Sequence, residues 1–242
     1  MTTLLLVHAW PMDASMWDAQ VKALNGEVDV LAPHLPGFGG TPGTGEVLTM
    51  EAIASSLVGE LDTAGVERAV VCGLSIGGYA TFEMWRRYPE RIEGLILADA
   101  RSEADDEAGR ERRRALAEKV RAGGSNVVAD APPALLSEGA DPALWDRVKG
   151  TIRRQSPEAI AAAALGMAER PDSGPTLATI DVPTSVVVGS ADTLTPPHFS
   201  EAMTQAIPEA ELVTLEGAGH LANLEDPDGF VEAIRGLLKR VG

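Results

Sequence analysis

The residues best suited to chemistry are a serine, an aspartate and a histidine far apart in the chain, each placed just after a short apolar run. Gly73-Leu74-Ser75-Ile76-Gly77-Gly78 follows Ala69-Val70-Val71-Cys72 and opens a stretch with helical spacing. A serine at a sharp strand-to-helix turn is forced into a strained backbone, and small residues two before and two after it let strand and helix approach. Gly73 and Gly77 occupy those positions. Such a turn lifts the Ser75 hydroxyl above the sheet edge, while a helix starting at Ile76 aims free N–H groups and a positive dipole end at a developing oxyanion. The plain alternative is a glycine-rich turn with an incidental serine, because the five-residue pattern also arises by chance. A dinucleotide-binding turn needs Gly-x-Gly-x-x-Gly, which this turn lacks.

A serine hydroxyl is a poor nucleophile at neutral pH and needs a histidine base held by a carboxylate. Of four histidines, His220 in Glu216-Gly-Ala-Gly-His220 follows the last strand run, where glycines let a side chain swing over the sheet edge. His8 and His34 can line the same edge but read more simply as hydrogen-bonding residues, and His198, after Thr195-Pro-Pro197, as an exposed residue at a helix start. Asp192 lies in the loop after the run at residues 184–188, which puts the three groups in the order Ser75, Asp192, His220. Asp99, after the run at 95–98, competes for the acid role on weaker grounds of loop position and chain order. The loop His8-Ala-Trp-Pro-Met-Asp13 should supply one oxyanion donor and the residue after the nucleophile the other, which nominates the backbones of Trp10 and Ile76. Acyl transfer to water through an acyl-enzyme is the reaction these groups suit, with no metal or organic cofactor.

These residues must be held by a sheet. Apolar runs fit for buried parallel strands recur at residues 4–7, 28–32, 69–72, 95–98, 184–188 and 211–215. Helical spacing fills 15–24, 50–64, 76–87, 199–206 and 227–240, so the alternation predicts a doubly wound parallel sheet of six strands. Residues 33–45, rich in Gly and Pro, read as a loop. From Arg101 to about Ala178 strand runs vanish and helical stretches such as 111–121 and 157–168 take over, which reads as a helical insertion. Its charges, Glu103, Asp105, Asp106, Glu107 and then residues 110–114, read as a solvated helix face.

At 242 residues the chain suits one large α/β domain. A net charge of −16 opposes nucleic acid and anionic membranes as partners. It also disfavours anionic substrates at long range, although a local arginine such as Arg101 could override that at a pocket. Cys72, the only cysteine, excludes an intramolecular disulfide. The opening residues lack a basic region before their apolar run, and no run approaches membrane-spanning length, so a cytoplasmic protein is expected.

Five landmarks together, His8-Ala-Trp-Pro11, Leu35-Pro-Gly-Phe-Gly39, Gly73-Leu-Ser-Ile-Gly-Gly78, Gly189-Ser-Ala-Asp192 and Gly217-Ala-Gly-His220, resemble the α/β-hydrolase superfamily. Within it the chain most resembles small bacterial esterases, including 3-oxoadipate enol-lactonases and cofactor-free haloperoxidases. The resemblance implies an α/β-hydrolase core at residues 1–100 and 179–242 and a helical cap at 101–178, with the first two of the family's usual eight strands absent. That leaves the strand at 28–32 as an edge, covered by its following loop or by a homodimer partner. It implies a small carboxylic ester or lactone substrate, and offers Leu135, Leu136, Trp145, Leu165 and Met167 as the inner side of the cap, although an apolar stripe is more often plain packing. Family members usually carry glycine where this chain has Ala9. A serine at position 75 argues against relatives with an aspartate there, the haloalkane dehalogenases and epoxide hydrolases. Carbon–carbon bond hydrolases and perhydrolases share the triad, and some relatives keep it while acting as receptors.

Overall fold

Apolar runs with little polar alternation can lower their free energy only if both faces of the strand are covered, and a parallel sheet flanked by helices does this. The computed structural model of the chain describes residues 2–241. In chain order it contains β1 (Thr3–Val7), α1 (Asp18–Ala23), β2 (Asp29–Leu31), α2 (Met50–Thr63), β3 (Ala69–Leu74), α3 (Ile76–Arg87) and β4 (Ile92–Ala98). The helices α4 (Glu107–Gly123), α5 (Asn126–Ala129), α6 (Pro142–Arg154), α7 (Pro157–Glu169) and α8 (Gly174–Leu177) come next. The chain then returns to the sheet with β5 (Thr184–Gly189), α9 (Pro197–Ala206), β6 (Glu211–Leu215), α10 (Ala222–Glu225) and α11 (Pro227–Val241).

All neighbouring strands are parallel, in the order β2-β1-β3-β4-β5-β6. The strand order reverses between β1 and β3, and in such sheets the loops leaving the carboxyl ends at the reversal part to form a crevice. Register fixes which loops meet there: Val7 lies beside Gly73, Gly73 beside Leu97, and Ala98 beside Val187. The residues after β1, β3, β4 and β5 therefore emerge at one edge. As the family resemblance implies, the second strand is an edge of the sheet. It is three residues long and partly exposed, and a short edge offers little backbone for stray pairing.

Between β4 and β5 the chain is helical. Asp106 caps α4 by accepting from the Gly109 amide at 2.7 Å, and Ser156 caps α7 through the Glu158 and Ala159 amides. Buried alanines of α7, among them Ala159 and Ala161 to Ala164, let neighbouring backbone come close. The Leu48 amide donates to Ala162 O at 3.0 Å, and the Leu48 carbonyl lies 1.7 Å from where a Cβ on Gly166 would stand.

Most of the charged residues after β4 form the solvated face that their mixed signs suggest, with Asp106, Glu107, Glu111, Arg112 and Arg114 exposed and Arg114 paired with Glu107 and Glu111, but Asp105 does not. Asp105 is buried, and its carboxylate is bound by Arg101, Arg113 and Arg170, the last at 2.9 Å and itself buried with its guanidinium 4.3 Å from the Tyr79 ring centre. Burial alone would raise the Asp105 carboxyl, but the Arg170 and Arg113 guanidiniums hold it well below the usual carboxylate range. The partners come from the loop after β4, from α4 and from the end of α7, so local charge patterning could not reveal them. The cluster ties the entry and exit of the helical segment together.

Two outcomes follow for stability. Alanine for glycine inside a helix usually gains about 1 kcal/mol, yet Gly166→Ala should lose about 1–3 kcal/mol in urea unfolding because the new methyl meets the Leu48 carbonyl. Asp105→Asn should lower stability at pH 7 by up to about 3 kcal/mol. Because the Asp105 carboxyl ionises more readily in the folded chain, its contribution is full above the unfolded value of about 4 and is lost as pH falls below it. The gap between wild type and Asp105→Asn, followed by unfolding at pH 7, 5, 4 and 3, should hold to about pH 4 and then narrow.

Candidate active site

The turn between β3 and α3 places Ser75 at φ 57° and ψ −116°, a conformation that non-glycine residues rarely adopt. Such strain persists only where surrounding structure over-determines it. The Ser75 amide donates to Ala98 O at 2.9 Å, and its carbonyl accepts from the Tyr79 amide at 3.1 Å, locking the residue to β4 and to the first turn of α3. A Cβ on Gly73 would lie 2.3 Å from the Gly77 carbonyl, and one on Gly77 would lie 2.4 Å from the Val7 carbonyl. Only glycine at both positions allows α3 to start this close to β1 and β3.

His220 bridges two groups brought from opposite parts of the chain. Its Nε2 is 2.9 Å from Ser75 Oγ and its Nδ1 is 2.9 Å from Asp192 Oδ2. With the proton on Nδ1, the ring donates to Asp192 and accepts from the Ser75 hydroxyl. Asp192 Oδ1 accepts from the Leu194 and Thr195 amides at 2.8 and 3.0 Å, and Oδ2 accepts from the Thr195 hydroxyl at 2.6 Å. Burial would raise the Asp192 carboxyl, but the hydrogen bonds of His220 and Thr195 outweigh it and keep the group below its ordinary value. The histidine loop is itself clamped: the Gly219 amide donates to Glu225 at 2.7 Å, Glu225 also accepts from the Ser137 amide, and the Leu221 amide donates to Leu135 O at 2.8 Å.

The competing acid is placed differently. Asp99 is fully buried, and its Oδ1 accepts from the Gly189 amide at 2.9 Å rather than meeting the histidine. Burial and the nearby Asp192 charge push its carboxyl well above the usual value, which favours a neutral acid beside an ionised one. His8 accepts from the Leu35 amide through Nε2 at 2.9 Å and is held neutral, with burial lowering its pKa to about 4. His34 accepts from the Ala14 amide at 3.2 Å, and His198 is exposed. These three have the structural character that their positions suggest.

Among the described residues, the main-chain N–H groups of Trp10 and Ile76 have no protein acceptor. The indole of Trp10 donates to Ile160 O at 3.0 Å, and Asp13 accepts from the Ser15 amide and from Gln155 Nε2 at 2.7 Å, so the loop after β1 is pinned to the start of α7.

Ser75, His220 and Trp10 face a cavity of about 470 Å³. Leu135 and Met167 line it as the family resemblance implied, but Leu136, Trp145 and Leu165 do not. Leu136 is buried behind the wall. Leu165 and Trp145 are half-buried and pack on the core, with the Lys149 ammonium 5.9 Å from the Trp145 ring centre. Their apolarity serves helix packing, the simpler use of a helical stripe. Sequence reasoning missed Tyr79, Leu116, Val128, Leu194 and Thr195 in the lining. Tyr79 had a usable signal, being one helical turn beyond Ser75. Among the described residues no group of three or more His, Cys, Asp or Glu is placed to hold a metal, and no helix is long and apolar enough to cross a membrane.

Comparison with known proteins agrees with this architecture. The model of the alpha/beta hydrolase family matches residues 4–233. A solved thermophilic esterase from Thermogutta terrifontis, described as malate bound, is 41% identical, with a TM-score of 0.97 over 100% of this chain and 90% of that chain. A pimeloyl-[acyl-carrier protein] methyl ester esterase from Aromatoleum aromaticum is 28% identical, covering 98% of each chain. The 3-oxoadipate enol-lactonase 1 of Acinetobacter baylyi is also 28% identical, over 95% of this chain and 85% of its own. With six parallel strands, a strained serine turn and a match over nearly its whole length, the chain belongs to the alpha/beta hydrolase family.

Proposed function

We propose that the protein hydrolyses small carboxylic esters or lactones, with Ser75 as nucleophile, His220 as general base and acid, and Asp192 as the orienting carboxylate. The observation that carries this reading is the pair of 2.9 Å contacts from the two His220 nitrogens to Ser75 Oγ and Asp192 Oδ2 at the cavity floor. The esterases and the enol-lactonase among its relatives support the same class of bond.

Ser75 Oγ attacks the carbonyl carbon as His220 Nε2 takes its proton, and Asp192 stabilises the imidazolium. The free amides of Trp10 and Ile76 receive the oxyanion, whose charge they stabilise best in a site largely closed to water. Collapse of the tetrahedral species breaks the bond to the leaving alkoxide, which takes the proton from His220. Water then enters, gives its proton to the same nitrogen and attacks the acyl-serine, and a second collapse releases the acid and restores the serine. The helices between β4 and β5 act as a cap over this floor, since α4, α5 and α7 supply Gly109, Val128 and Met167 to the cavity wall. Core and cap divide near residues 100 and 179.

On p-nitrophenyl esters of increasing acyl length, Ser75→Ala should lose at least about 10³-fold in kcat with the fold retained. A folded wild type that turns over no ester of the series would overturn the reading. Asp192→Asn should lower kcat by about 10⁴-fold, because an amide cannot hold the required tautomer or balance the imidazolium. Near-normal turnover in this variant would transfer the acid role to Asp99.

A further inference from the structure

The wall of the cavity above Ser75 is cationic, in a chain whose net charge is −16. Three guanidinium groups line it, Arg101, Arg112 and Arg113, against one carboxylate, Asp105. Asp105 cannot neutralise them all. Its Oδ1 already accepts from Arg101 and from Arg170 behind the wall, and its Oδ2 from Arg113. Donors are left over on the cavity side. Arg113 Nη1 has, as its acceptor among the described residues, the thioether sulfur of Met167 at 3.4 Å, a weak acceptor for a charged donor. Arg112 has no acceptor among the described residues and is exposed. The side chains of Arg101 and Arg113 are about three-quarters buried, at 25% and 23% exposure, so water hydrates their remaining N–H groups incompletely.

Forked N–H donors that are partly desolvated and short of acceptors suit a planar carboxylate, which accepts two such bonds at once. We infer that this wall is a carboxylate-binding subsite, and that the preferred substrates are esters or lactones carrying a second, ionised carboxylate a few bonds from the reacting carbonyl. This rests on the proposed role of Ser75. Arg101 and Arg113 are fixed by Asp105 and give the subsite its shape, while Arg112, free of any partner, closes on the bound anion.

Monomethyl glutarate and its neutral carboxamide isostere, methyl glutaramate, differ at the one group that matters. In wild type, kcat/KM for the anion should exceed that for the amide by at least about tenfold, the scale of one charge-assisted hydrogen bond. Arg112→Gln should reduce that ratio at least about threefold and Arg112→Lys should restore part of it, since the charge returns without the fork. Calorimetric titration of Ser75→Ala with the same two compounds reads binding without turnover. Tighter binding of the anion there, with no ester hydrolysed by wild type, would keep the subsite and overturn the hydrolase reading. Turnover of p-nitrophenyl acetate with a ratio near one would do the reverse. A preference in wild type that Arg112→Gln leaves unmoved would overturn the assignment to this wall.

Discussion

The architecture depends on one close approach, that of α3 to the sheet at Ser75. With Gly77 against the Val7 carbonyl and Gly73 against the Gly77 carbonyl, the helix starts directly above the seam between β1 and β3. A left-handed serine costs about 1–3 kcal/mol, and it is held there by the Ala98 and Tyr79 hydrogen bonds and by the buried strands β1 and β3 beneath. The same contact sets the distance between the loop after β1, with its free Trp10 amide, and the start of α3, with that of Ile76. Because β4, β5 and β6 continue the sheet in parallel from β3, the loops carrying Asp192 and His220 leave the same edge and need reach only a short way back to the serine.

The helical segment between β4 and β5 is registered against this edge by a few long-range polar bonds, buried or partly buried. Trp10 Nε1 reaches Ile160 O, Gln155 joins Asp13 to the Gly39 amide, and the Leu221 amide reaches Leu135 O. Glu225 joins the histidine loop to Ser137. A lost partner in the buried ones, Trp10 with Ile160 and Gln155 with Asp13, would leave a buried polar group unsatisfied, at about 1–3 kcal/mol. The loops proposed to stabilise the oxyanion and to carry the base are thus fastened to the segment that shapes the cavity, and a change in cavity shape cannot be made independently of them.

What could be read from the sequence was what local patterning determines. Six strands and their helices follow from runs of apolar residues, the edge position of the second strand from the family resemblance, and the serine turn from two glycines at the right offsets. The meeting of Ser75, Asp192 and His220 was legible because each sits immediately after a strand, and parallel strands bring such positions to one edge. The cavity wall was not legible, because it depends on which side of each inserted helix faces in. Trp145, Leu136 and Leu165 are as apolar as Leu135 and Met167, yet point into packing. Asp105 looked like one charge in a mixed run, and its three arginine partners lie 4, 8 and 65 residues away. Only the last separation lies wholly beyond the reach of helical periodicity, and it brings in the one arginine of the three that is itself buried.

The same distinction of scale separates the charge of the molecule from the charge of its cavity. An excess of sixteen negative charges repels an approaching anion, but exposed charges are screened beyond about 8 Å at physiological ionic strength. The Arg101 and Arg113 guanidiniums, about three-quarters buried in the cavity wall, are screened less, because partly buried charges are less reached by salt. The acidic surface therefore acts on the rate of encounter, and the arginine wall acts on what is held once inside. Composition alone reports the first effect and is silent on the second. A protein of low isoelectric point can for this reason favour an anionic ligand, provided its few opposing charges are gathered in one cavity wall and their own counter-charge is already fully engaged, as that of Asp105 is here.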